Sequence, residues 1–480
     1  MKPLAVLIPE RIDIEGIVNV NSSLFEEDYL RYLINTIVIK QGRIVENKQI
    51  EDENNLHERR YYSTSERYVK IESLKKGKQY SNHKLMIEYL CGDNFTVRRS
   101  RTRAKLVSIF QRIQYKVGEN SFEYRFGAYF RKNKLRIEYI NDYKIAGAVK
   151  QEHSKCDGEL NTGTFKFLTK FFNSDKLQID LAKAVELCEM RYETHQKYGV
   201  YVKEMMQIVN LYNGIYRLTF TRNSLGRVYT NITQLPKVYR EFITYDNKQL
   251  SEIDISNSVI FFLGLLLDGT LNKNPIIELF NKSIFNILNE ESSFLLLMFY
   301  KSFESLSHKE IQLLKLLGNN GRFYDEFVSD FVKVYSFEEM QGFYESENDD
   351  TYKGTEEQIR RVCKKRLIAM FFAKSTQKQS LKVQEIFKTK FPEMLERINK
   401  FKDEAGHEKF SHILFQIEAC FVVDVVARNF NRKYWKNAPI FTLHDCLITT
   451  FDYLDKLEQV FKDSFVEYLG RIPKTEVKEW

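Results

Sequence analysis

Two aspartates in this chain stand in apolar surroundings where a bare charge is costly. Asp254 closes a stretch in which Leu250, Ile253 and Ile255 are apolar while Glu252 and Asp254 are acidic. That alternation predicts a short β-strand. The apolar run from Val259 to Leu267 predicts a buried helix, and Ser256, Asn257 and Ser258 between the two are good N-caps. A carboxylate there is tolerated if it is paired or holds a metal; capping the helix is its other reading. The pattern recurs in Phe441–Thr450, which reads as a second apolar strand interrupted by His444 and Asp445. A lone histidine in a strand is usually a satisfied core residue.

Between the acidic stretches lies a basic helix, Arg360–Ala373. Arg360, Lys364, Ile368 and Phe372 recur every fourth residue, so each step drifts only about 40° and the four share one face. That face presents two cations and an aromatic ring, a set suited to a triphosphate with its sugar and base. Arg361 and Lys365 form a competing register that puts Ala373 in the aromatic place. Taken alone, the helix also reads as a solvated basic face. Paired carboxylates with cations between them suit nucleotidyl transfer, in which two divalent ions about 4 Å apart activate a hydroxyl and neutralise a leaving pyrophosphate. Magnesium takes oxygen ligands, and two protein carboxylates plus phosphate oxygens suffice.

The order of acidic strand, basic helix and acidic strand resembles the family A DNA polymerases and their relatives, the single-subunit RNA polymerases of phages and mitochondria. The resemblance covers roughly residues 220 to 460. It implies that Asp254, Asp445 and the Ile255 carbonyl hold two Mg²⁺ ions, for which Mn²⁺ substitutes, with His444 near the primer end. Arg360 and Lys364 would grip the triphosphate, and Phe372 would pack at the nucleotide's sugar and base. Arg227, in the pair Gly226-Arg227, would touch the nucleic-acid backbone, and Gln416 the primer–template minor groove. There are departures. Ala373 stands where a glycine is usual, and Val259 and Cys446 stand where family A DNA polymerases carry glutamates. Val259 and Phe372 offer no hydrogen bond to a ribose 2′-hydroxyl, which favours deoxyribonucleotides.

The implied fold is α+β, a right-hand polymerase whose palm has a small antiparallel sheet and whose fingers are an inserted helical stretch. The expected segments are an N-terminal thumb or template-binding region at 1–215, palm at 216–275 and 406–480, and fingers at 276–405. The expected activity is template-directed primer extension by a DNA polymerase without a proofreading exonuclease, from a phage or mobile element. Its partners would be a primer–template of DNA, or of RNA, nucleoside triphosphates and accessory replication proteins. A single-subunit RNA polymerase or primase is the alternative, and a non-catalytic nucleic-acid-binding replication protein the alternative of another class.

Composition is compatible with this. Hydrophobic residues at 43% with only 7 prolines argue for a globular and largely helical protein rather than a disordered one. The net charge of +8 suits a polyanion-binding enzyme without requiring one. Six cysteines without a CxxC pair read as thiols of a reducing compartment. With no leader pattern, and no apolar run near the roughly 20 residues that span a bilayer, the expectation is a cytoplasmic protein of a bacterial or phage-infected cell and no membrane partner.

In the N-terminal region Glu26–Lys40 reads as an amphipathic helix, and Arg43–Lys78 is polar and charged. The basic stretch Phe95–Lys105 is expected to run into a helix marked by Leu106, Ile109, Phe110 and Ile113. Tyr124–Tyr139, alternating aromatic and basic residues, is expected to turn as a hairpin at Lys132-Asn133. Together they would suit a nucleic-acid backbone, or form an ordinary solvated basic face. Gly158–Gly163 reads as a loop and Leu177–Tyr212 as two helices. Gly318–Gly321 is expected to break the helix His308–Leu317, and Phe410–Asn429 to form a long buried helix.

Overall fold

The computed structural model describes residues 2–21, 25–43, 83–100, 103–112, 123–161, 163–221, 225–268, 274–281, 290–304, 306–346, 348 and 350–480. Ile113 and nearly all of the polar stretch from Arg43 to Lys78 lie outside them. The chain mixes helix and strand, with helix predominating. It divides into two compact units, one of Met1–Cys156, Phe172–Arg217 and Thr230–Asn247, the other of Asp157–Phe171, Leu218–Tyr229 and Lys248–Trp480.

The first unit is built around the strand Leu4–Pro9, buried at every position and paired antiparallel with Leu135–Ile140. Helices Glu27–Arg43 and Tyr198–Asn213 pack against it. Buried backbone must find partners, and asparagines supply some of them. Asn213 accepts from the Ala5 amide at 2.9 Å and donates to the Ala5 carbonyl at 2.8 Å, while Asn35 accepts from the Leu7 amide at 2.9 Å.

Two expectations for this unit fail. The basic stretch does not enter a helix: Phe95–Ser100 pairs with Arg103–Val107, and Phe110–Arg112 is a strand. Leu106 is 56% exposed while Ile109 and Phe110 are buried, so the spaced apolar residues never shared one helical face. Tyr124–Tyr139 turns at Lys132, whose φ is 54°, but does not pair with itself. Tyr124–Phe126 joins Phe110–Arg112, and Leu135–Ile140 is taken by the buried N-terminal strand.

In the second unit, strand β1 (Lys248–Ile255) lies between strands β3 (Cys446–Thr450) and β4 (Thr475–Glu479), and β3 also pairs with β2 (Phe441–Leu443). All these pairings are antiparallel. Ile253 faces Leu447 across one edge and Asp254 faces Glu476 across the other. His444 and Asp445 do not interrupt one strand. They are the two-residue turn between β2 and β3, where Leu443 faces Cys446. His444 takes φ 57°, the left-handed region that histidine enters more readily than branched residues.

Helix α1 (Ser258–Leu266) is buried throughout, as its composition requires. Asn257 stands at its N-cap with φ 59°, outside the extended conformation of a capping residue, and makes no side-chain cap bond, contrary to the expected capping, while Ser256 turns to Glu476 at 3.3 Å. The helix His308–Asn319 runs through Gly318, and the chain turns at Gly321, where φ is +70°. Gly158–Asn161 is one turn of helix rather than loop. Helix α2 (Glu356–Phe372) opens on a capping box of Thr355 and Gln358. At its other end the buried Lys402 ammonium donates to the Met370 carbonyl at 2.7 Å. That supplies an acceptor for a charge whose pKa burial lowers to about 8. Buried Glu310 accepts from the Glu393 and Met394 amides at 3.0 and 2.8 Å, closing the N-terminus of the helix Pro392–Ala405.

Helix α3 (His407–Ala419) continues through a π-helical stretch, Cys420–Ala427, into Arg428–Tyr434. Contrary to the expectation that no apolar stretch approaches membrane length, His407–Tyr434 is long and apolar enough to cross a bilayer, but 83% of its most apolar part is buried inside the fold. It is a core helix.

Candidate functional site

The turn between β2 and β3 carries Asp445 to the end of β1, beside Asp254. A carboxylate oxygen of each and the Cys446 Sγ lie within 4.8 Å of one another. The Cys446 thiol donates to Asp254 Oδ1 at 3.1 Å, and the Lys478 ammonium lies 3.4 Å from Oδ2. Asp254 is therefore no helix cap; it faces the neighbouring strands. Burial, with Glu418 and Asp254 nearby, pushes Asp445 up to about 7, although a hydrogen bond from Ser258 works the other way. Burial also pushes the Cys446 thiol well above its ordinary range.

Glu418 is the residue the sequence reading passed over. It is 1% exposed on α3. Its Oε1 accepts from Arg227 at 2.6 Å, and its Oε2 has no hydrogen-bond partner among the described residues. The signal was available, since an acid inside an apolar helix is the same anomaly that marks Asp254. The Arg227 guanidinium also lies 3.9 Å from the centroid of the Phe415 ring, and Phe415 packs on Phe372 at 4.9 Å. Arg227 and Phe372 thus meet through one ring, beside Glu418.

The basic helix lies close to the acids. Arg360 pairs with Asp325 and reaches the Gly321 carbonyl at 3.5 Å. Burial raises the pKa of the Tyr324 hydroxyl, which feels Arg360 and Asp445 with opposite sign. Lys364 lies 6.0 Å from the Tyr324 ring centroid. Against the upward push of burial, Lys478, Ser256 and Lys364 hold the Glu476 carboxyl below its usual range. Arg361, in the competing register, turns to Glu357 at 2.6 Å and the Tyr344 hydroxyl at 3.4 Å.

Other expected residues are placed less openly. Ile255 is 2% exposed at the end of β1, and Val259 is buried in the first turn of α1. His444 sets its ring edge-on to Tyr229 at 5.9 Å. Gln416 is not brought to a surface: it is 3% exposed, and its oxygen accepts from Ser292 at 2.8 Å.

Three carboxylates gathered in a partly dry site repel one another unless a proton or a cation is shared, and Glu418 and Asp254 add to the upward push that burial gives Asp445. Oxygen donors of this kind fit a hard divalent ion, and the thiol adds a softer donor. Lys478 supplies part of the missing positive charge.

No known protein family and no curated protein matches the chain. Among solved structures it is similar to the POL domain of Pol1 from M. smegmatis in complex with DNA primer-template and dNTP, at 12% identity and a TM-score of 0.27. The match covers 62% of this chain and 55% of that one, so the chain spans about half the length of the structure it matches. A superposition at this score does not identify a fold.

Proposed function

We propose that the second unit is the catalytic part of a template-directed polymerase that extends a primer strand. The observation that carries this is the meeting of Asp254 and Asp445 beside the Arg360–Lys364 face of α2. In this reading β1 to β4 are a palm, the helical stretch 276–405 the fingers, and residues 1–215 a thumb or template-binding region.

Asp254, Asp445 and the Ile255 carbonyl would hold Mg²⁺, with Mn²⁺ as substitute. Bound there, the metal would lower the pKa of a primer hydroxyl and neutralise charge on the departing pyrophosphate. Arg360 and Lys364 grip the triphosphate, Arg360 exchanging Asp325 for phosphate. Phe372, held by Phe415, packs at the sugar and base. Arg227 directs charge toward the nucleic-acid backbone while Glu418 holds its guanidinium, and His444 stands near the primer end. Gln416 acts on the minor groove only if α3 releases it from Ser292.

Val259 and Phe372 support deoxyribonucleotides as substrates. Burying a 2′-hydroxyl against them without a partner costs about 1–3 kcal/mol. The test is purified protein with Mg²⁺, a labelled primer–template and separate dATP and ATP. The expected result is metal-dependent extension with the larger kcat/KM for dATP, and a smaller difference in Val259→Gly. A wild-type preference for ATP would replace this reading with an RNA polymerase or primase. One observation favours a non-catalytic nucleic-acid-binding protein: the Lys478 ammonium already stands against Asp254. Absence of incorporation with any divalent ion would select that second reading.

A further inference from the structure

Where the chain leaves the core helix, a basic and aromatic surface makes contacts separate from those of the acidic centre. Trp435 is 54% exposed. The Lys170 and Lys436 ammoniums lie 5.5 and 5.3 Å from its ring centroid, and Lys170 donates to its carbonyl at 3.2 Å. The neighbouring residue, Tyr434, packs against Tyr453 at 6.0 Å, and Lys456 lies 4.2 Å from the Tyr453 ring centroid and 5.7 Å from that of Tyr434. None of these three lysines is in an ion pair among the described residues. Burial lowers the Lys170 pKa with no carboxylate to offset it.

Cations without internal counter-charges call for an anion, and they are set around aromatic rings, one of them broadly exposed. A single-stranded nucleic acid supplies both complements, phosphates for the lysines and flat bases for the rings. A duplex hides its base faces, and a polyanion without bases leaves the rings unused. We infer that the surface formed by Lys170, Tyr434, Trp435, Lys436, Tyr453 and Lys456 binds single-stranded nucleic acid through phosphate contacts and base stacking on Trp435. It recognises phosphate and base faces, features that DNA and RNA strands share. The inference does not depend on polymerase activity.

The chain has two tryptophans, and Trp480 is buried, so Trp435 reports directly on its own surface. The experiment titrates the full chain with dT and rU oligomers, a duplex of equal length, heparin, and anionic phospholipid vesicles, following tryptophan emission and binding anisotropy. Saturable quenching by either single strand, weakened by salt and absent in Trp435→Phe, is the expected result. Lys170→Glu with Lys436→Glu should weaken single-strand binding by about tenfold while the circular dichroism spectrum and Tm stay those of wild type. Should that double variant unfold, Trp435→Ala in the same binding assay decides. Strand binding without quenching, single-strand affinity unchanged in Trp435→Ala, quenching of equal strength by heparin or duplex, or an emission change given by vesicles alone would each overturn the inference. Failure of primer extension leaves these binding outcomes unaffected, so the two claims fail separately.

Discussion

At the scale of single residues, the charge state of Asp445 is the most informative property of the site. Its carboxyl titrates near 7 in the folded chain against an ordinary 3.8. Between those values the folded state keeps a proton that the unfolded chain has released. The stability this confers is full below the ordinary value and is lost as pH rises toward 7. The melting temperature of metal-free protein should therefore fall over that range, and Asp445→Asn should flatten the fall and stabilise the apoprotein near neutral pH by on the order of 1–3 kcal/mol. Mg²⁺ should raise the melting temperature of wild type more at about pH 8 than at about pH 5, because a proton and a metal compete for one carboxylate. A calorimetric series in pH, with and without Mg²⁺, checks both; a wild-type profile identical to that of Asp445→Asn would remove Asp445 as the titrating group.

At the scale of elements, α2 is aligned by contacts at both ends, its capping box and Lys402. Its Arg360–Lys364 face is the one that meets Tyr324 and Glu476. Arg360→Ala and Lys364→Ala should each lower kcat/KM for the incoming nucleotide by roughly tenfold or more, with primer–template affinity little changed. Single-nucleotide kinetics that instead single out Arg361→Ala and Lys365→Ala would shift the functional face by one residue. Glu310 makes a prediction about stability alone. Removing a buried acceptor of two helix N-terminal amides should destabilise the chain by about 1–3 kcal/mol in Glu310→Ala, read by urea melts. Elements with local causes were legible in the sequence: the apolar run of α1, the fourth-residue recurrence of α2 and the amphipathic Glu27–Arg43 helix each declare themselves within one stretch. The strands at 110–112, 124–126 and 135–140 were not, because their conformation depends on partners farther along the chain, above all on Leu4–Pro9 claiming Leu135–Ile140, while the local pairing of Phe95–Ser100 with Arg103–Val107 was masked by apolar residues spaced as in a helix.

At the scale of the whole molecule, the site is a product of long-range pairing. Asp254 and Asp445 were recognisable singly as acids in apolar surroundings, but only the β1–β3 register brings them together. Glu418 was marked in the sequence only as an acid inside an apolar helix, and Lys478 by nothing; the role of each at the site appears only when α3 and β4 are laid beside β1. The central claim is that this gathered pair serves metal-dependent primer extension. The most direct measurement compares Mg²⁺-dependent extension of a labelled primer–template by wild type, Asp254→Ala and Asp445→Ala, with folding and primer–template binding monitored in parallel. Extension should disappear in both variants while fold and binding persist. Near-normal extension by either variant, with Mg²⁺ as the sole divalent ion, would contradict the claim.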